Sequence, residues 1–307
     1  MHNFAKDTLS LFELDDKLDF ITNLYVSKKL PKVLMISGKK GIGKSTLVNH
    51  FMNFVYDTEN YDLKNKVINS KTLFYKQYLN DIFPNIIYLS GDNFKNIKID
   101  DIRALKSQLF KSPILNKDRF IIFDDIELFN INSLNALLKI IEEPSINNYF
   151  ILINNETKKL IETIYSRSIE LKIILNNNTR IKIIENLVKN NDLEVLIDYK
   201  RFNLTPGIFL SFNEILYKHK INIDDNFLEN LEKLLNLYKK NKNINLINII
   251  ILLTDYYFFD LIENKNMNIE KIVENKTFVV DNINKFVTYN LNQISLINAL
   301  NNKLSNG

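Results

Sequence analysis

Apolar residues in the first 175 positions alternate between two rhythms, short unbroken runs and longer stretches spaced three and four apart. Leu14 to Lys28 mixes acidic and apolar positions at helical spacing, and Pro31 closes it ahead of KVLMIS, a short buried strand. A glycine-rich turn leads into Ser45 to Tyr56, a predicted helix, and the polar stretch from Asp57 to Asn69 reads as a surface insertion. The pattern then predicts a strand over Ile86 to Leu89 and an amphipathic helix over Ile99 to Lys111, with Ile102, Leu105 and Leu109 on one face. A strand at Phe120 to Phe123 follows, then a helix over Asn132 to Glu143 stopped by Pro144, and strands at Phe150 to Ile153 and Ile169 to Ile174.

Strands alternating with helices imply a parallel, doubly wound sheet whose ligand site lies at the strand carboxyl ends. Beyond Asn176 the strand-like runs cease. Three short helical segments, roughly 178–192, 193–202 and 206–217, precede longer helices from about 222 to 303. The NNNT cluster at 176–179 and a softer break near Lys218 to Asp224 divide the chain into an α/β domain over 1–175, a small helical domain over 176–218 and a helical domain over 219–307.

Composition narrows the chemistry. With 46% hydrophobic residues the chain has enough apolar material for several cores, and a net charge of +4 lacks the excess of a dedicated nucleic-acid coat. Cysteine is absent, which removes disulfides, thiolate catalysis and the usual zinc ribbons, and His2, His50 and His219 are too scattered for a ligand cluster, so no zinc is expected. Acidic residues run through the first apolar stretch, unlike a signal peptide, and the apolar run Ile244 to Phe259 is short and interrupted, so a cytoplasmic protein with no membrane partner is expected. Only five arginines occur, at 103, 119, 167, 180 and 201, which makes each worth inspecting.

The chemistry-bearing signal is GKKGIGKS, Gly38 to Ser45, which satisfies G-x-x-x-x-G-K-[ST] between a strand and a helix N-terminus. Glycines let backbone N–H groups face a phosphate, Lys44 is the residue that reaches the β- and γ-phosphates, and Ser45 offers its hydroxyl to Mg²⁺. Gly38, Gly41, Gly43, Lys44, Ser45 and Thr46 are therefore the candidate nucleotide-binding set for ATP or ADP with Mg²⁺. RFIIFDD, Arg119 to Asp125, is a strand ending in two carboxylates: Asp124 is placed to hold the metal shell, and Asp125 stands where a longer glutamate usually polarises the attacking water. An ordinary strand end closed by turn-forming aspartates is the competing reading. In ILINNE the end of the fourth strand offers a γ-phosphate sensor, Asn155 first and Asn154 second.

The stretch NALLKIIEEPSINNYFILINNETKKLIETIYSRS, Asn135 to Ser168, resembles the bacterial DNA polymerase III clamp-loader subunits, where an N-A-L-L-K-x-x-E-E-P helix precedes a sensor strand and a T-I-x-S-R-C signature. The resemblance makes Ser166 and Arg167 the signature pair, puts Ser168 in the usual cysteine position and selects Asn155 as the sensor. The Tyr-Arg-Pro start and four-cysteine module of the catalytic gamma and tau subunits are missing, whereas IDDIRALKSQL, Ile99 to Leu109, is similar to a helix of the delta-prime subunits. That likeness is strong over about residues 14 to 175 and implies an AAA+ P-loop core, a helical lid and a C-terminal helical collar through which subunits assemble. The implied partners are the gamma or tau and delta subunits, the sliding clamp and, through the complex, primed DNA. The lid segment TPGIFLSF, Thr205 to Phe212, has no basic residue for the second sensor, so nucleotide holding without turnover is expected. Arg167 would then act as a finger in trans, toward a neighbour's γ-phosphate. The competing readings are an active gamma-like ATPase, a helical adaptor with a relic P-loop, and a nucleotide kinase, whose arginine-rich lid is lacking here.

Overall fold

A computed structural model describes residues 9–91, 99–109, 113, 115, 117–264 and 268–305. The first eight residues and Lys111, the expected end of one helix, lie outside them. The chain divides into two compact units, Met1–Asn186 with Thr205–Gly207, and Leu187–Leu204 with Ile208–Gly307.

The first unit is built on five parallel strands, β1 (Val33–Ser37), β2 (Ile86–Ser90), β3 (Arg119–Asp124), β4 (Asn148–Asn154) and β5 (Ile169–Lys172), in the order β2-β3-β4-β1-β5. Register pairs Ser37 with Asn154 and Ser90 with Asp124, so the carboxyl ends of β1, β3 and β4 lie together. Successive side chains of a strand point to opposite faces, and the unbroken apolar runs bury both. Leu34, Ile36, Phe120, Ile122, Ile151 and Ile153 share a core with α1 (Asp15–Val26) and α2 (Lys44–Tyr56). Their neighbours Met35, Ile121, Phe123 and Leu152 pack instead with α4 (Ile99–Leu109) and α5 (Ile131–Ile141), where Ile102, Leu105 and Leu109 form the buried face that helical spacing predicts. Phe120 meets Phe51 edge-on at 5.5 Å and stacks on Tyr149 at 5.3 Å.

The segment after α2 departs from its polar appearance. Tyr61 and Ile68 are buried, Asp62 and Val67 exchange backbone hydrogen bonds, and Leu11 N–H donates to Lys66 O at 3.1 Å. It continues into a short helix, α3 (Leu73–Leu79), whose Phe74 lies 4.8 Å from Phe83 and 5.6 Å from Tyr56. A few well-spaced aromatics thus outweigh many polar neighbours, because each buries a large apolar area. One helical turn, α6 (Glu162–Tyr165), precedes β5, and α7 (Asn177–Asn190) follows it.

Residues 193–202, read from sequence as a helix, form turns instead; Asp198 Oδ1 accepts from the Lys200 and Arg201 N–H groups, a local alternative to the helix ladder. After α8 (Pro206–Lys218), the second unit contains α9 (Phe227–Asn241), α10 (Ile244–Asn264), α11 (Ile269–Tyr289) and α12 (Gln293–Ser305). Each packs on the next and α12 returns to α9; Leu231, Leu234, Ile250, Val279, Ile283 and Leu300 on these helices are buried. Asparagines start several helices: the side chains of Asn226 and Asn268 accept from N–H groups in the first turns of α9 and α11. The α/β P-loop sheet followed by a helical second half is the fold class read from the sequence. Among the described residues no helix is long and apolar enough to cross a membrane.

Candidate nucleotide site

β1 runs into a turn where Gly38, Gly41 and Gly43 all have positive φ, at 144°, 81° and 97°. A Cβ on Gly38 would run into the carbonyl of Ile173, so both the backbone conformation and the space exclude a side chain there. Gly43 is the residue before α2, and its left-handed turn releases the chain into the helix at Lys44. Thr46, half-buried, continues the first turn of α2 beside Ser45.

Lys44 is 2% exposed, and its ammonium donates to the carbonyls of Gly38 at 2.6 Å and Lys39 at 2.7 Å. Burial lowers its pKa from 10.5 to about 8, against the opposing pull of Asp124, Glu127, Asp125 and Glu156. The Ser45 hydroxyl donates to Asp124 Oδ2 at 3.1 Å, and Tyr88 on β2 donates to the same oxygen at 2.5 Å. A hydroxyl and a carboxylate in contact at a helix N-terminus, beside a buried ammonium, form the donor set a magnesium-bound phosphate chain requires, so the residues fit such a ligand.

Asp125 does not repeat the geometry of Asp124. Its backbone is left-handed (φ 50°) and its carboxylate turns to Asn155 Nδ2 at 2.7 Å and Lys40 Nζ at 3.3 Å. Of the two candidate sensors, Asn155 donates its amide to Asp125, whereas Asn154 donates its amide to the Tyr165 hydroxyl at 3.0 Å. At the start of α8, Gly207 N–H donates to Gly41 O at 2.7 Å and the Thr205 hydroxyl to Lys40 O at 2.7 Å. This segment is therefore tied to the P-loop by backbone carbonyls and not by a basic side chain.

A family model described as DNA polymerase III, delta subunit, matches residues 14–177, more than half of the chain. The chain belongs to that family. It is similar to the DNA polymerase III subunit delta-prime of Buchnera aphidicola subsp. Baizongia pistaciae, at 30% identity over 47% of this chain and 44% of that protein. It also matches the gamma subunit of Buchnera aphidicola subsp. Acyrthosiphon pisum, at 23% identity over 45% of this chain and 37% of the relative. A gamma subunit-related protein of Thermotoga maritima aligns structurally with TM-score 0.46 and 18% identity, covering 94% of this chain and 99% of that one. The chain spans less than half the length of either Buchnera relative.

Arg167, in the stretch shared with this DNA polymerase III family, follows α6. Its side chain is 35% exposed, and its guanidinium pairs with Glu142 at 2.6 Å and donates to Thr163 O at 3.2 Å. The other arginines have evident duties. Arg119 and Arg180 are buried, donating to Gln108 O at 3.1 Å and to Asn177 Oδ1, while Arg103 and Arg201 form surface pairs with Asp100 and Glu263. Sequence reasoning missed Glu127, Lys40 and Tyr88. Glu127 was visible as a third acid three residues after Asp124, and Lys40 as a charged residue inside the loop; nothing in the spacing singled out Tyr88.

Proposed function

We propose that this chain is a delta-prime-like clamp-loader subunit that holds Mg-ATP or Mg-ADP without efficient turnover and lends Arg167 to a neighbouring subunit's site. The observation that carries this reading is the contact between Ser45 and Asp124 under the buried Lys44, within a chain of the DNA polymerase III delta-subunit family. Gly38, Gly41, Gly43, Lys44, Ser45 and Thr46 would hold the phosphates, Ser45 and Asp124 the magnesium, and Asn155 would sense the third phosphate. A bound Mg-nucleotide supplies the charge that organises the loop and, on a catalytic neighbour, the bond that is broken.

Slow turnover follows from what surrounds Asp125. An acid that polarises water needs a free carboxylate aimed at the water, whereas this one is engaged by Lys40 and Asn155. No basic residue lies in Thr205–Phe212 to neutralise charge from the other side. Arg167 has the planar fork suited to phosphate oxygens and sits on the surface beside a single partially exposed acid, a pairing weak enough to exchange. In this reading 1–175 is the AAA+ nucleotide-binding domain, 176–218 the lid and 219–307 the collar, and the partners are gamma or tau, delta, the sliding clamp and primed DNA.

The test is DNA- and clamp-stimulated ATP hydrolysis by complexes reconstituted with wild-type or Arg167→Ala chain, with assembly checked by gel filtration. Trans-acting arginines contribute about 10³ to 10⁵ in kcat where measured in GTPases. The whole-complex loss should be smaller, since only one interface loses its finger, and Arg167→Lys should rescue poorly. Full activity of a correctly assembled Arg167→Ala complex would reduce this residue to the Glu142 ion pair. Turnover by the isolated chain near the enzyme median of about 10 per second would instead favour an active gamma-like ATPase.

A further inference from the structure

Glu127 is an acid near the site that the reading above leaves without a role. Its side chain is 5% exposed, and carboxylates are seldom buried without donors. Three donors come from one loop: Asn155 N–H at 3.1 Å, the Thr157 hydroxyl at 2.7 Å and, more weakly, Thr157 N–H at 3.4 Å. The one-turn 3-10 segment Ile126–Leu128 after Asp125 carries Glu127 to that position at the end of β4.

The loop it grips is not relaxed. Glu156, between the two gripped residues, has φ 54°, and Asp125, two residues before Glu127, has φ 50°. Both are left-handed conformations that side chains other than glycine rarely adopt, and they persist where surrounding bonds over-determine them. Between these residues runs the 2.7 Å bond from the Asn155 amide to Asp125. Asn155 is thus fixed at both ends, its backbone by Glu127 and its side chain by Asp125. Charge-assisted bonds to a buried carboxylate are stronger than neutral ones, so Glu127 dominates the loop's geometry.

We propose that Glu127 is a positioning residue for phosphate sensing: its buried carboxylate holds residues 155–157 so that the Asn155 amide stands beside Asp125, where a third phosphate is told from a second. The proposal rests on the nucleotide reading of the site. It predicts that neutralising Glu127 impairs discrimination between triphosphate and diphosphate, while the P-loop contacts that hold both remain.

The experiment titrates the full chain, as wild type, Glu127→Gln, Asn155→Ala and the double variant, with Mg-ADP and a non-hydrolysable Mg-ATP analogue by calorimetry. Amide hydrogen exchange at residues 155–157 is followed in parallel. Glu127→Gln should lower the preference for the triphosphate about tenfold, leave ADP affinity within about twofold, and speed exchange at Asn155 and Thr157. Asn155→Ala should cause the same loss of preference, and the double variant no further loss, as two residues acting through one contact require. An unchanged preference in Glu127→Gln, or an equal loss of both nucleotides, overturns the proposal. Wild type that binds neither nucleotide overturns the nucleotide reading itself and this proposal with it; wild type that binds both equally refutes sensing alone. Should Glu127→Gln not fold, Thr157→Val removes the shortest of Glu127's three contacts and should produce a smaller loss of preference; no loss in that variant is likewise refuting.

Discussion

Replacing Lys44 with methionine should make the protein more stable and unable to bind nucleotide. The ammonium is almost wholly buried, and its pKa stands at about 8 instead of 10.5. At about 1.36 kcal/mol per tenfold change in proton affinity, holding that charge at neutral pH costs roughly 3 kcal/mol. Lys44→Met keeps the side-chain length and removes the charge, but also loses the bonds to Gly38 O and Lys39 O, so a net gain of about 2 kcal/mol is expected. For a unit of this size that is about 4–8 °C in Tm. The pH dependence follows from linkage: between pH 8 and 10.5 the unfolded chain binds more protons than the folded one, so wild-type stability rises with pH and the advantage of Lys44→Met shrinks. Thermal unfolding at pH 7 and pH 10, read as the first unit's transition, checks both. Mg-nucleotide should reverse the order, since ligand at 100 times Kd stabilises the binding-competent wild type by about 2.7 kcal/mol. A variant no more stable than wild type at pH 7, or a gain that persists unchanged at pH 10, would refute the claim that Lys44 is held charged against its surroundings.

Gly207→Ala should disturb the P-loop from a distance in sequence, because the added Cβ would lie 2.9 Å from Gly41 Cα and 3.1 Å from Gly41 O. Backbone cannot yield as a flexible side chain does, so a loss of about 1–3 kcal/mol and weaker nucleotide binding are expected in calorimetry, and wild-type behaviour would refute the close approach. A chain ending near Lys220 lacks α9 to α12 and should fail to join the reconstituted complex; unchanged incorporation by gel filtration would remove the collar assignment.

The alternation of strand and helix was legible because a strand buried on both faces has few polar positions to blur its run, as VLMI and FIIF show. The P-loop was legible for a related reason, since few residue types satisfy its backbone. Residues 57–69 were not: Tyr61 and Ile68 are the buried apolar positions, with Lys66 buried between them, and polar neighbours mask these positions. Asn155 and Asn154 could not be separated by chemistry, only by direction; adjacent residues at a strand end face opposite sides, and one amide goes to Asp125 and the other to Tyr165. Glu127 escaped notice because its importance comes from three donors some thirty residues later in the chain.

The last strand of the sheet bears on how this chain meets others. β5 pairs with β1 on one side and ends the sheet on the other, the position from which open backbone recruits foreign strands. It is only four residues long, and two of these are charged. Lys172 pairs with Glu156 at 3.1 Å, and Glu170 accepts a hydrogen bond from the Ser37 hydroxyl, so both charges belong to the fold and stay beside the rim. Ile169, 63% exposed, is the one apolar residue left outward on that strand. A neighbour attaching here by extending the sheet would have to strip water from Lys172 and Glu170 for a short run of hydrogen bonds. Stable neighbours are thereby steered toward side-chain surfaces and helix faces, and a variant that keeps Ile169 but loses the charges of Glu170 and Lys172 is where uncontrolled strand-to-strand aggregation should first emerge.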